Sequence, residues 1–169
     1  QETAGAIPRL DASQYQGRTW ATRRRLWVDR VASAWLIRRF IDPHAEFIYV
    51  SAANVLEKAA ELGAIPYDIP NVQFSHRGER CSFDALIEDF KLSDPALTGL
   101  ATIVRGADTG KLELSPQSPG LLAISLGLSA LHKDDHAMLQ HGMMVYDALY
   151  AWLKGARSEI HNADLFATA

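Results

Sequence analysis

The chain has 169 residues and a formal charge of -3, and 48% of its residues are hydrophobic. This length suits one domain with a single sizeable core, and the net negative charge argues against a nucleic-acid binder. No apolar run approaches the ~20 residues that a membrane-spanning helix needs. Cys81 is the only cysteine, which excludes a disulfide framework and a CxxC motif.

The positive charge is concentrated at the start of the chain. Residues 1–45 hold eight arginines against four acidic residues, a local charge of +4, so the remainder carries -7. The runs at residues 23–25 and 38–39 could bind an oxyanion through their guanidinium groups. Pairing with the acidic remainder of the chain accounts for them equally well, so both interpretations stay open.

Residues 1–18 lack hydrophobic periodicity and predict a flexible N-terminal arm. The small and polar start at Gln1 is typical of what remains when a secretory signal peptide is cleaved. We therefore expect a periplasmic or exported protein, although a shortened chain would begin in the same way. The domain itself is predicted over residues 19–157, and residues 158–169 are predicted to form a C-terminal tail.

The first helix is predicted between Asp29, as its N-cap, and Asp42–Pro43, because apolar residues recur with helical spacing between these points. Residues 46–50, EFIYV, combine aromatic and β-branched side chains, which predicts a buried strand. A second helix is predicted from its cap Ser51 to Gly63. The prolines of IPYDIP then indicate short extended segments near the edge of a sheet.

Ser82 is predicted to open a third helix, with Asp84 in its first turn, where a negative charge is favourable. A fourth helix is predicted to begin at Asp94 and Pro95. Its end is predicted near Gly106, before a loop rich in glycine, proline and serine.

The segment LLAISLGLSALH is apolar enough to predict a buried helix. The last long helix is predicted to be capped by Asp134 or Asp135, and it carries an apolar stripe that should face the core. Taken together, these elements predict an α+β fold, a mainly helical single domain with a small β-sheet.

The stretch FSHRGERCSF contains three side chains that can bind a first-row metal ion, those of His76, Glu79 and Cys81. The remaining ligands would have to come from elsewhere, and Asp108 and Asp135 are candidates. A lone buried cysteine is usually a small hydrophobe, and a histidine in a loop usually only forms hydrogen bonds. Composition alone therefore favours a structural interpretation of this stretch over a metal site.

Several longer segments are distinctive when they are taken together: LWVDRVASAWLIRRFIDPHAEFIYV, AIPYDIPNVQFSHRGERCSFDALIEDFKLSDPAL, IVRGAD and DDHAMLQHGMMVYDALYAWL. They resemble the chromate-resistance protein B family, whose members are also described as chromate resistance exported proteins. The resemblance covers about residues 20–155. It is limited to the C-terminal domain of longer members, which resemble chromate-responsive regulators with an additional N-terminal domain. It implies that this chain lacks the part expected to contact DNA.

The resemblance also implies which residues belong to a site. The family pattern F-x-H-x-G-x-x-C is matched by His76 and Cys81, and the aspartate of its A-D pair is matched by Asp108. Many members carry a His-Asp pair where this chain has Arg105 and Gly106, so those two side chains are not present as ligands. The resemblance therefore favours a site in the FSHRGERCSF stretch over a generic turn.

The leading hypothesis is an exported metal-binding protein linked to chromate or metal stress, with a transition-metal ion (Zn, Fe or Cu) in a His/Cys/carboxylate site. An alternative is a sensor or scavenger that binds chromate or another oxyanion. A metal-dependent enzyme of unknown substrate, or a partner-binding domain, also stays open. The proposed metal ligands are His76, Cys81, Glu79, Asp108 and Asp135, and the proposed oxyanion-binding residues are Arg30, Arg38, Arg39, Arg77 and Arg80.

Overall fold

Three parallel strands and six α-helices make up the part of the chain that the structure describes, residues 10–156. In this computed structural model the strands are β1 (Thr19–Arg23), β2 (Glu46–Val50) and β3 (Ile65–Pro66). The helices are α1 (Val28–Leu36), α2 (Val55–Leu62), α3 (Ser82–Phe90), α4 (Pro95–Thr109), α5 (Ser118–Leu131) and α6 (Asp135–Ala151). The predicted α+β fold, with mainly helical content and a small sheet, is confirmed.

The sheet has the order β2-β1-β3, so the central strand is the first one in the chain. Trp20 in β1 lies opposite Phe47 in β2 and Ile65 in β3, both in parallel register. Its neighbour Ala21 points to the other side and packs in a small cluster with Val55 of α2. The sequence analysis missed β1, because the arginines that flank its buried centre hide the apolar pattern of a central strand.

Helix α1 lies at the centre of the domain and packs against α3, α4 and α6. Eight of its nine residues are buried, which explains why no polar face is visible in its sequence. At Ile37–Ile41 the helix widens into a π-helical turn, and it ends at Asp42 as predicted. The prediction that Asp29 caps this helix is wrong: Trp27 is the N-cap residue, and Asp29 lies in the first turn.

The fourth helix is longer than predicted. It begins at Asp94 and Pro95 as expected, but it continues to Thr109 and ends at Gly110, whose φ of 74° is left-handed. Gly106 is therefore inside the helix, where a Cβ atom would lie 2.3 Å from the Ser118 hydroxyl oxygen. Asp108 consequently lies on the last turn of α4.

Helix α5 forms at the predicted place, but the prediction that it is buried is wrong. Ile124 and Leu131 are 51% and 77% exposed on its outer side. The first nine residues of the predicted arm and the predicted tail, residues 158–169, lie outside the described residues. Residues 10–18 contact the domain, since Leu10 and Tyr15 pack against the main core. No helix of the described residues is long and apolar enough to span a membrane.

The close approach of α1 and α6 depends on a glycine and gives a testable prediction. A Cβ atom at Gly142 would lie 2.5 Å from Val31 Cγ1, whereas a Cβ atom at Gly127 would meet nothing within 4 Å. We expect Gly142→Ala to lower the free energy of unfolding by ~1–3 kcal/mol through overpacking. The control Gly127→Ala should raise it by up to ~1 kcal/mol through helix propensity. Urea unfolding measures both, and equal stabilisation would contradict the packing of α1 on α6.

Candidate metal centre

The imidazole of His76 lies among three carboxylates. Its Nε2 atom is 3.2 Å from Asp29 Oδ2, 3.5 Å from Asp68 Oδ1 and 3.4 Å from Asp108 Oδ2. These residues come from α1, from the loop after β3 and from the end of α4, while His76 precedes α3. The side chains of Asp29, Asp68 and Asp108 are 2%, 5% and 10% exposed, whereas the His76 side chain is 43% exposed, so the group is open on the imidazole side.

Asp29 is held by the N-terminus of helix α3. Its Oδ2 atom accepts a hydrogen bond from Ser82 N at 2.8 Å, and its Oδ1 atom accepts one from Phe83 N at 2.9 Å. These two amides are among the first four of the helix, which have no partner within it, and they carry the positive end of the helix dipole. The carboxylate therefore stays fixed in the interior and turns one oxygen towards His76.

Asp68 is fixed by side chains instead. Its Oδ2 atom accepts a hydrogen bond from Arg30 Nε at 2.8 Å, and its Oδ1 atom accepts one from the Ser82 hydroxyl at 2.8 Å. Arg30 also donates to the carbonyl of Arg25, which connects the end of β1 to this loop. Asp68 has a φ of 50°, a left-handed conformation that aspartate tolerates better than most residues.

The pKa values of the group reflect burial and mutual charge. Burial raises the pKa of Asp29, and burial together with the nearby carboxylates raises the pKa of Asp108 to about 6. Burial alone would raise the pKa of Asp68, but the hydrogen bond from His76 and the charge of Arg30 contribute to lowering it. Hydrogen bonds to Asp29 and Asp68 raise the pKa of His76 to about 10. His76 is therefore a protonated imidazolium at neutral pH when no metal is bound.

Two of the predicted metal ligands, His76 and Asp108, come together in this group. Cys81 is buried beside it, but its thiol donates to Asp84 Oδ2 at 3.3 Å. Burial raises the pKa of this thiol further above its ordinary value, so it stays protonated. Arg105 holds the same Asp84 carboxylate through two hydrogen bonds. In the structure Cys81 thus belongs to the start of α3.

The other two predicted ligands have different contacts. The Glu79 side chain is 83% exposed and pairs with Lys111 at 2.7 Å. Asp135 lies at the start of α6, where its carboxylate accepts hydrogen bonds from Arg25 N at 3.1 Å and Leu26 N at 2.8 Å. Neither residue belongs to the group of ligand atoms around His76 that the described residues form.

Asp29 and Asp68 are the residues that the sequence analysis did not include. Asp29 was explained as a helix cap, and Asp68 was part of a segment that its prolines marked only as extended. A signal for both was present, since each is an acidic residue with apolar neighbours inside the segments that carry the family resemblance. Buried carboxylates are rare unless they are paired or bind a cation.

The five predicted oxyanion-binding arginines do not form one site. Arg30 pairs with Asp68, and Arg77 holds the Asp89 carboxylate at 2.6 and 2.7 Å. Such pairs use the guanidinium donors that an oxyanion would need. An anion would therefore have to displace a carboxylate from either residue.

Of the remaining three arginines, Arg38 and Arg39 line one cavity, and Arg80 lies beside Arg77, with which it shares Glu88. Arg39 pairs with Asp147 at 2.9 Å, and Arg38 donates to a backbone carbonyl while its guanidinium lies 4.9 Å above the Phe47 ring. Arg80 is 61% exposed and only approaches a carboxylate at 3.9 Å. The predicted cluster is thus divided among Arg30, the neighbours Arg38 and Arg39, and the neighbours Arg77 and Arg80.

Comparison with known proteins identifies the family. The family model for the ChrB C-terminal domain matches residues 20–153. Protein ChrB from Cupriavidus metallidurans is 41% identical over 155 residues, which are 91% of this chain and 46% of that relative. The chain thus spans about half the length of the curated relative, and no solved structure matches it. The chain belongs to the ChrB C-terminal domain family, which confirms the resemblance seen in its motifs.

Proposed function

We propose that this domain binds a divalent transition-metal ion through Asp29, Asp68 and His76, with Asp108 beside them. The observation that carries the proposal is that one ligand atom from each of the first three lies within 4.8 Å of the others. An ion with tetrahedral ligands at ~2.1 Å holds those ligands ~3.4 Å apart. The distances of 3.2 and 3.5 Å from His76 to the first two carboxylates are close to this value.

The charge of the group also supports a bound cation. Three carboxylates face one imidazole, and Arg30 pairs with one of them. With all three ionised, a protonated His76 leaves an excess of one negative charge in a buried place. A divalent ion with a neutral His76 removes that excess, and burial makes such compensation favourable.

The donor atoms favour particular metals. Zn, Fe or Cu was predicted for a site that included the Cys81 thiolate, whereas the group contains carboxylate oxygens and one imidazole nitrogen. These oxygen and nitrogen donors suit the predicted Zn²⁺ and Fe²⁺, and they also suit Mn²⁺. Arg30, Ser82 and the amides of α3 would orient the carboxylates from behind, as outer partners do in metal sites.

Family membership supports a role for this metal site in the response to chromate or metal stress. We propose this role for the domain in an exported or periplasmic protein. A metal-dependent enzyme is the second candidate, because the exposed imidazole side leaves room for a substrate at the ion. Detectable turnover that chelation abolishes would distinguish the enzyme from a binding protein.

Elemental analysis of untagged protein tests the metal site. We expect about one equivalent of Zn²⁺, Fe²⁺ or Mn²⁺ in the wild type. His76→Gln and Asp68→Asn should each weaken metal binding by at least ~10-fold, because each removes a ligand. Glu79→Gln is the matched control, since Glu79 is exposed and pairs with Lys111, and it should keep the metal.

Cys81→Ser separates the two versions of the site. A serine hydroxyl can donate the same hydrogen bond to Asp84. Retention of metal in this variant would therefore support the carboxylate site without the thiol, and loss of metal from a variant that unfolds at the wild-type temperature would restore Cys81 as a ligand. Folded wild-type protein that neither contains metal nor takes it up on reconstitution would overturn the proposal.

The metal-free protein gives a second prediction, on stability. Because the pKa of His76 is raised from 6.5 to about 10 by folding, its protonation stabilises the fold fully below pH 6.5. That contribution is lost as the pH rises through the folded value. We therefore expect the difference in unfolding free energy between wild type and His76→Gln to shrink from pH 7 to pH 10. Urea unfolding in the presence of a chelator measures it, and a constant difference would contradict the imidazolium–carboxylate contacts.

A further inference from the structure

A cavity of about 380 Å³ opens beside the candidate metal centre. Asp68 and His76, two of the proposed metal ligands, form part of its wall, and the loop residues 69–71 and Ser75 form another part. Its size is at the lower end of the range for small-molecule pockets, ~300–1,000 Å³. The third charged residue in the wall is Arg23, the last residue of the central strand β1.

Arg23 differs from the other partly buried arginines of the described residues in its contacts. Its Nε atom is buried and has no hydrogen-bond partner, and no ion pair among residues 10–156 involves its guanidinium. Arg30, Arg77 and Arg105, by contrast, each hold an aspartate. A buried donor without a partner lowers stability, and it does so more when the group is charged. Among residues 10–156, Arg23 therefore has no counter-ion, although its Nε donor is buried.

With a metal ion bound, the charge of Arg23 would have no negative partner within the site. A divalent ion with a neutral His76 and Arg30 balances the three carboxylates, so the guanidinium of Arg23 adds one positive charge in excess. A small anion in the cavity would balance it. Guanidinium groups bind both tetrahedral oxyanions and carboxylates through paired N–H donors.

We propose that the cavity binds a small oxygen-bearing anion between Arg23 and the metal ion, and this inference rests on the proposed metal site. The ligand class is a tetrahedral oxyanion or a carboxylate, which share the chemistry of two oxygens on one central atom. Arg23 is the residue that selects an anion, and the ion provides the second attraction. The five arginines named from the sequence are not needed for this site, apart from the support that Arg30 gives to Asp68.

Calorimetric titration of sulfate and of acetate into Zn²⁺-loaded protein tests the inference. One equivalent of either anion should bind to the wild type, and the stronger of the two identifies the class. Arg23→Gln should weaken binding at least ~10-fold, as expected for the loss of a charged hydrogen-bonding partner. Arg23→Lys keeps the positive charge but lacks the paired N–H donors of a guanidinium group, so it should bind the anion with intermediate affinity. Arg24→Gln is the matched control, because this exposed neighbour lines a different cavity, and it should bind as the wild type does.

Metal content and thermal unfolding are measured on the same samples, so a variant that loses the ion or the fold is recognised. A Co²⁺-loaded sample adds a spectroscopic signal, since an anion that reaches the ion changes its visible spectrum. Metal-loaded wild type that binds neither anion, or Arg23→Gln that binds them unchanged, would overturn the inference and leave the metal site intact. Protein that takes up no metal would overturn both proposals.

Discussion

The contact between the Asp29 carboxylate and the first amides of helix α3 organises the rest of the site. Two backbone N–H groups bind the two oxygens of a side chain that is 2% exposed. Hydrogen bonds to a charged group contribute ~1.5–3 kcal/mol each, and the dipole of α3 adds to them. Because the same amides have no other partner, α1 and α3 hold each other at this point. The loop that precedes α3 then places His76 above the carboxylate.

Asp29 and its neighbour Arg30 divide the assembly of the site between them. Asp29 fixes the start of α3, and Arg30 fixes Asp68 together with the turn after β1. Both lie on the first turn of the most buried helix, so the core packing of α1 determines their positions. The side chains around His76 are consequently supported by helix packing and by a neighbouring strand, although Asp68 lies in a loop. Such support keeps ligands in place whether or not an ion is bound.

The sequence predicted those parts of the fold that depend on local rules. Strand β2 has the predicted bounds, and Asp94 with Pro95 starts α4 as a cap and first residue should. Asp29 was misassigned for the same reason, since local rules attach a cap residue to its own helix, whereas its partner is 53 residues away. His76 and Asp108 were identified from their side-chain chemistry and from the family motif, but neither of these shows which residues meet. Tertiary contacts decided that question.

The pairing of His76 and Cys81 shows how one motif can serve two purposes. The spacing suggested two ligands on a single ion, but the loop turns between them, with Gly78 at a φ of 61°. The imidazole points to the carboxylates, and the thiol turns inward to Asp84 at the start of α3.

Asp84 also accepts a hydrogen bond from the Cys81 backbone N–H, and Arg105 of α4 donates a hydrogen bond to the same carboxylate. Cys81 is thus part of the structure that fixes the loop, and the loop presents His76. An intact site therefore depends on both residues of the motif, even where only the histidine contacts the ion. A cysteine in this position has a structural reason to be present without any redox or ligand role.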